Sequence, residues 1–248
     1  MRYHRFDQAA VNRNGSKSTF ASVIVICHDR RQYLRQAVES IIAQDVDRNR
    51  FEIIVVKNYK DEFIDAYLAG ACVQSVLCDA KPATQKAAEG FRTSKGDVLL
   101  FLDDDDLFEP GRLKVVLSSF DDNPQLGFYR NEVTFIGADG SSLSRSLVRS
   151  FGIHAPTGSP RLYIEGDERY SVGLKLAKAS PEFNPSSMAI RRELFARGLP
   201  YLLRMTTTLD TILWFEALVS DASILLDNRP FTRYRIHDSN SSLARGNS

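Results

Sequence analysis

Gly96-Asp97-Val98-Leu99-Leu100-Phe101-Leu102-Asp103-Asp104-Asp105-Asp106-Leu107-Phe108 is the stretch on which the reading of this chain turns. Residues 98–102 are an unbroken apolar run, the pattern of a strand buried on both faces. The run ends abruptly in the carboxylates Asp103, Asp104, Asp105 and Asp106. Adjacent negative charges at the end of a buried strand repel one another unless a cation neutralises some of them. Oxygen-only ligands point to a hard divalent ion, Mg2+ or Mn2+, which binds few carboxylates and shares itself with phosphate. In an open α/β sheet, ligands bind outside the carboxyl ends of the strands, where this cluster falls. A solvated acidic turn is the competing reading of a bare Asp run. The buried strand that feeds it favours a metal-phosphate site.

Upstream, residues 22–27 are rich in Val and Ile and predict a first buried strand, broken by His28-Asp29-Arg30. Leu34, Ala37, Val38, Ile41 and Ile42 then recur at helical spacing, so one helix face packs on the sheet. Residues 51–56 predict a second strand, Phe63, Ile64, Tyr67 and Leu68 a short amphipathic helix, and residues 73–77 a third strand. Buried strands alternating with helical patterns imply βαβ units and a parallel sheet. Downstream, residues 112–120 predict a helix with Leu113, Val116, Leu117 and Phe120 inward, closed by Asp121-Asp122-Asn123-Pro124. Residues 127–136 predict a strand and residues 170–179 a helix, while residues 137–169, rich in Ser, Gly and Pro, predict a long mobile loop. Asp210 stands at the start of a helix that is otherwise almost wholly apolar, where the helix dipole favours a charged acid. Along residues 231–237, alternation puts Arg233, Arg235 and His237 on one face and Thr232, Tyr234 and Ile236 on the other. Two guanidiniums beside an imidazole suit a diphosphate.

Composition bounds the class. At 248 residues the chain is long enough for one large domain or two closely fused halves. Its 43% hydrophobic and 25% charged residues are ordinary for a soluble globular protein. A net charge of +1 without a basic stripe gives no case for nucleic acid. Cys27, Cys72 and Cys78 have no metal-ligand spacing and are expected to be reduced, which suits the cytoplasm. No apolar run is long enough to span a bilayer, and the polar N-terminus predicts no signal peptide. The expected location is cytoplasmic, with room for peripheral contact at the inner face of the cell membrane.

Taken with its flanks, the Asp-rich strand resembles that of the family 2 glycosyltransferases, enzymes of the GT-A fold. Their pattern Gly-x-Tyr-x-x-Phe-Leu-Asp-x-Asp-Asp is similar to residues 96–106 without a gap. Residues 22–30 resemble the family's opening Ser-Val-Ile-Ile-Pro-Thr-Tyr-Asn-Arg, although Pro-Thr-Tyr is altered here. Residues 52–56 resemble its second strand, but Lys57-Asn58-Tyr59-Lys60 replaces Asp-Asp-Gly-Ser, whose Asp normally bonds the base. Residues 185–195 resemble the acceptor-side segment, residues 209–214 the Glu-Asp-x-Asp-Leu-Trp element with a single carboxylate left, and residues 234–237 the Tyr-Arg-x-His element.

The resemblance implies a GT-A-like α/β fold: a Rossmann-type mixed sheet flanked by helices, one catalytic domain of two fused halves. Residues 1–20 would be a polar tail, 21–124 the donor half, 125–238 the acceptor half carrying the base, and 239–248 a flexible tail. It assigns Asp105 as direct metal ligand with Asp103 and His237, and Mn2+ or Mg2+ as cofactor. Asp103 and Asp104 would lie near the ribose, and Cys27, His28, Asp29, Arg30, Asn58, Lys86, Arg233 and Arg235 would bind the donor. Asn58 would meet a base edge and Lys57 a phosphate, against the alternative of a solvated turn. Ser186, Ser187 and Met188 would lie beside the sugar, and Asp210 would be the catalytic base. The implied reaction is inverting transfer from GDP-mannose or a UDP-sugar to a hydroxyl of a glycan or lipid-linked saccharide. A nucleotidyltransferase and a non-catalytic nucleotide-sugar-binding module are the rivals; the first normally has a Gly-rich loop where Cys27-His28-Asp29-Arg30 has no glycine.

Overall fold

A computed structural model describes residues 18–150, 161–166, 168–176, 184–204, 209–238 and 240. The apolar runs become the parallel strands β1 (Ala21–Ile26), β2 (Phe51–Lys57), β3 (Gln74–Leu77) and β4 (Val98–Asp103). Alternation sorts each run into two cores. Val23, Val25, Leu100 and Leu102 face one layer with Leu34, Val38 and Ile41 of helix α1 (Leu34–Ile42). Ile24, Ile26, Leu99 and Phe101 face the other. Both faces are covered, so no position in β1 tolerates a polar group without a partner. Its one hydroxyl, Ser22, meets that need by donating to Glu52.

Helices α2 (Glu62–Gly70) and α3 (Ala83–Thr93) connect the parallel strands, and a short strand β5 (Leu107–Phe108) and helix α4 (Arg112–Asp122) follow the acidic turn. The rest of the chain supplies β6 (Leu126–Ile136), β7 (Ser142–Leu143), α5 (Arg145–Ser150), β8 (Leu162–Ile164), α6 (Glu168–Leu176), β9 (Met188–Arg191), α7 (Arg192–Leu202), α8 (Leu209–Val219) and β10 (Ser223–Arg235). The path through the sheet is β3-β2-β1-β4-β9-β6-β10-β5, with β7 on β6 and β8 on β10. β9 runs antiparallel between β4 and β6, so strands from the expected donor and acceptor intervals interleave in one sheet. No helix among the described residues is long and apolar enough to cross a membrane.

Several expectations need correction. Residues 137–169 are not one long loop: β7, α5 and β8 lie within them, and residues 151–160 and 167 are outside the described residues. β7 folds back on the end of β6 through the turn at residues 137–141, whereas β8 owes its order to the remote strand β10, which no local pattern signals. Of the apolar set in α2 only Leu68 is buried, and Phe63 is 89% exposed, because α2 flanks the largely exposed edge strand β3. The expected tail at residues 1–20 ends in held backbone, since Thr19 is buried and its N–H donates to Asp121. Residues 1–17 are outside the described residues, as is the expected C-terminal tail except for buried Asn240.

One glycine is fixed by packing. A Cβ on Gly96 would fall 2.4 Å from the backbone nitrogen of Ser22, and its own N–H donates to Ser22 Oγ at 2.7 Å. Gly96→Ala must therefore push β4 from β1 at their shared start, and should cost about 1–3 kcal/mol of stability. A urea denaturation midpoint unchanged from wild type would contradict this.

Candidate active site

The acidic turn closes β4 where three remote segments meet. Carboxylate oxygens of Asp103, Asp105 and Asp106 all lie within 4.8 Å of one another. Asp104 points elsewhere, to Arg30 Nη2 at 2.5 Å and the His28 N–H at 3.3 Å. Asp105 faces Arg30 Nη1 at 2.7 Å and His237 Nε2 at 2.9 Å. Asp106 accepts from Asn184 Nδ2 and from the backbone N–H of Arg235. The Asp103 N–H donates to Ser186 Oγ at 3.0 Å, which ties the turn to the segment before β9.

Burial and then the Asp105 charge push the Asp106 pKa up to about 7. Burial raises Asp104 to about 6 even though Arg30 opposes it. Asp103 is also raised, by burial first and then by Asp106 and Asp105. Crowded oxygen donors of this kind fit a hard divalent cation, whose charge would offset their mutual repulsion. Of the expected ligands Asp103, Asp105 and His237, His237 reaches the group through its contact with Asp105, while the two carboxylates converge. Asp106 joins them and Asp104 does not, a sorting that four adjacent aspartates cannot reveal in sequence.

The loop after β1 forms the facing wall. Asp29 has φ 58°, a left-handed conformation that Asp tolerates better than most residues. Asn58 clamps it: Asn58 Oδ1 accepts the Asp29 N–H at 2.9 Å, and Asn58 Nδ2 donates to Asp29 Oδ1 at 2.7 Å. Lys86 is fully buried with Nζ 2.6 Å from His28 Nδ1. Burial lowers the Lys86 pKa, and burial followed by the Lys86 charge lowers that of His28. A cleft of about 270 Å³ opens here, lined by Asp29, Arg30, Arg31, Gln32, Tyr33 and His237. Arg31, Gln32 and Tyr33 were not among the expected site residues. Their place directly after the strand-ending break was the available signal.

Three expected donor contacts are corrected. Cys27 turns into the core, where its thiol lies against Arg30 O and the Tyr59 hydroxyl; burial, then Asp104, pushes its pKa up. Arg233 is held bidentately by Glu109 at 2.6 and 2.7 Å. Arg235 is buried, donating to Asp105 O, Gly137 O, Ala138 O and Gln36 Oε1. β10 ends at Arg235, before His237, and protein acceptors take both guanidiniums. Lys57 likewise is buried against Tyr59 O and Asp65 rather than open to a phosphate.

On the acceptor side, Ser186, Ser187 and Met188 are buried beside β4, and α8 packs on α7, β6 and β9. Asp210 is half-buried in the first turn of α8, its Oδ1 accepting the Thr211 N–H at 2.9 Å. Residues 205–208, which lead into it, are outside the described residues.

A family model described as "Glycosyl transferase family 2" matches residues 22–197. Over 111 residues the chain is 35% identical to a protein of Haemophilus influenzae called "Uncharacterized glycosyltransferase". That alignment covers 43% of this chain and 36% of the relative, so the match spans about a third of the relative's length. Among solved structures, S. aureus TarS 1-349 in complex with UDP-GlcNAc is similar with TM-score 0.64 and 14% identity, covering 89% of this chain and 60% of that one. The same protein in complex with UDP has TM-score 0.62 and 14% identity, covering 88% and 60%. At that identity the likeness is one of fold.

Proposed function

The chain belongs to the family 2 glycosyltransferases, and from that premise we propose that it moves a sugar from a UDP-sugar to a hydroxyl of a glycan or lipid-linked saccharide. The observation that carries this reading is the convergence of Asp103, Asp105 and Asp106 at the carboxyl end of β4, inside the region that the family matches. UDP is favoured over GDP because the similar fold of TarS was solved with UDP-GlcNAc and with UDP.

In this reading the cleft beside Asp29, Arg30 and Tyr33 takes the nucleotide, and Asn58 serves the donor by clamping the Asp29 that lines it. Behind that wall Lys86 is paired with His28, whose protonation burial and then the Lys86 charge disfavour. A divalent ion, Mn2+ or Mg2+, held by Asp105 with Asp103 and Asp106 would neutralise charge developing on the departing diphosphate. His237 steadies Asp105 through Nε2 at 2.9 Å, and its ring packs against Tyr33 with centroids 5.2 Å apart. Asp210 takes the acceptor proton as the acceptor oxygen attacks the anomeric carbon and the bond to diphosphate breaks, which inverts that centre.

Incubation with UDP-sugars and Mn2+ tests the reaction class. Release of UDP and sugar, faster when a saccharide acceptor is present, is the expected result. Formation of UTP and a sugar 1-phosphate when pyrophosphate is added to the UDP-sugar would indicate a nucleotidyltransferase instead, and nucleotide binding without any turnover would indicate a binding module.

A further inference from the structure

Arg30 stands where a cation belongs. Its Nη1 lies 2.7 Å from Asp105 Oδ2 and its Nη2 2.5 Å from Asp104 Oδ1, so one guanidinium bridges the turn. The same Asp105 oxygen meets His237 Nε2 at 2.9 Å. Asp105 belongs to the trio that converges for an ion, whereas Asp104 does not. Arg30 Nε is buried without a hydrogen-bond partner, so the third nitrogen of the fork is unsatisfied. The side chain is 29% exposed and lines the cleft, which leaves it room to turn.

These contacts set up a competition. A divalent ion on Asp105 would be brought close to the Arg30 charge, and the two repel. A diphosphate relieves that conflict, because a guanidinium fork matches phosphate oxygens as well as it matches carboxylates. On the donor-site reading above, we propose that Arg30 is a resident counter-ion of the metal site. It holds Asp105 while no divalent ion is bound, and turns on its Asp104 anchor to the donor diphosphate when ion and nucleotide arrive together. Asp104 is then the pivot that keeps Arg30 in place. The consequence is positive coupling, in which ion and nucleoside diphosphate each bind poorly alone and well together.

Manganese binding, read by electron paramagnetic resonance of free Mn2+, tests this with and without UDP on wild type, Arg30→Gln and Arg30→Lys. Wild type should bind Mn2+ on the order of tenfold more tightly or better when UDP is present. Arg30→Gln should bind Mn2+ alone roughly tenfold more tightly than wild type and gain less from UDP. Some gain will persist, because the diphosphate brings ligands of its own; the share due to Arg30 is the difference between the proteins. Arg30→Lys keeps the charge but cannot span both carboxylates, and should lie between the two. It supplies the readout if the glutamine variant does not fold. Unchanged or weaker Mn2+ affinity in the variants, with the full gain from UDP, would overturn the role of Arg30 alone. Wild type that binds no Mn2+ even with UDP would overturn the donor-site reading and this inference with it.

Discussion

Asp105→Asn is expected to abolish metal-dependent nucleotide binding while leaving the protein folded. Asp105 is the one carboxylate that belongs to the convergent trio and also meets both Arg30 and His237. An amide keeps its volume and one acceptor oxygen but removes the charge that a hard cation requires. Loss of a partner outside the ligand shell of a metal commonly costs about 10–100-fold in affinity, so a direct ligand should cost at least on the order of 100-fold. The fold should survive because crowded, buried carboxylates repel one another, and removing one charge relieves their neighbours. Calorimetric titration of UDP in the presence of Mn2+ measures the loss, and a thermal melt checks the fold. Wild-type UDP affinity in the variant, equal with and without chelator, would take Asp105 out of the site.

The second large effect belongs to Asp210. At the start of α8 the helix dipole stabilises its charged form, which is the form a proton acceptor needs. Asn keeps the volume and still accepts the Thr211 N–H, so the first turn of α8 should stay formed. It cannot take a proton from the acceptor hydroxyl. Transfer by Asp210→Asn should therefore fall by on the order of 10²-fold or more, with UDP affinity within about twofold of wild type because the donor cleft is untouched. Comparable turnover would place the base elsewhere, and lost donor binding would make Asp210 structural.

The sheet was legible because its strands are buried on both faces. Residues 98–102 had to be apolar without alternation, and their odd and even members enter separate cores. The acidic turn was legible because an abrupt change from apolar to anionic has few physical explanations at the end of such a strand. What could not be read is which partner each polar group finds. Alternation grouped Arg233, Arg235 and His237, but the acceptors of the two guanidiniums come from Glu109, Gln36, Ala138 and Gly137, far away along the chain. The clamp of Asn58 on Asp29 likewise exists only once β1 and β2 are in register, with Ile26 opposite Val56. Cys27 looked like a pocket residue by motif position, yet strand direction at the end of β1 turns its thiol inward.

The central claim is that Asp103, Asp105 and Asp106 hold a divalent ion against a nucleoside diphosphate. Anomalous diffraction from crystals grown with Mn2+ and UDP tests it most directly. The account predicts a manganese peak at Asp105, shared with Asp103 or Asp106 and with phosphate oxygens of UDP. UDP bound in the cleft with no manganese at the acidic turn, or manganese bound at some other place, would contradict it.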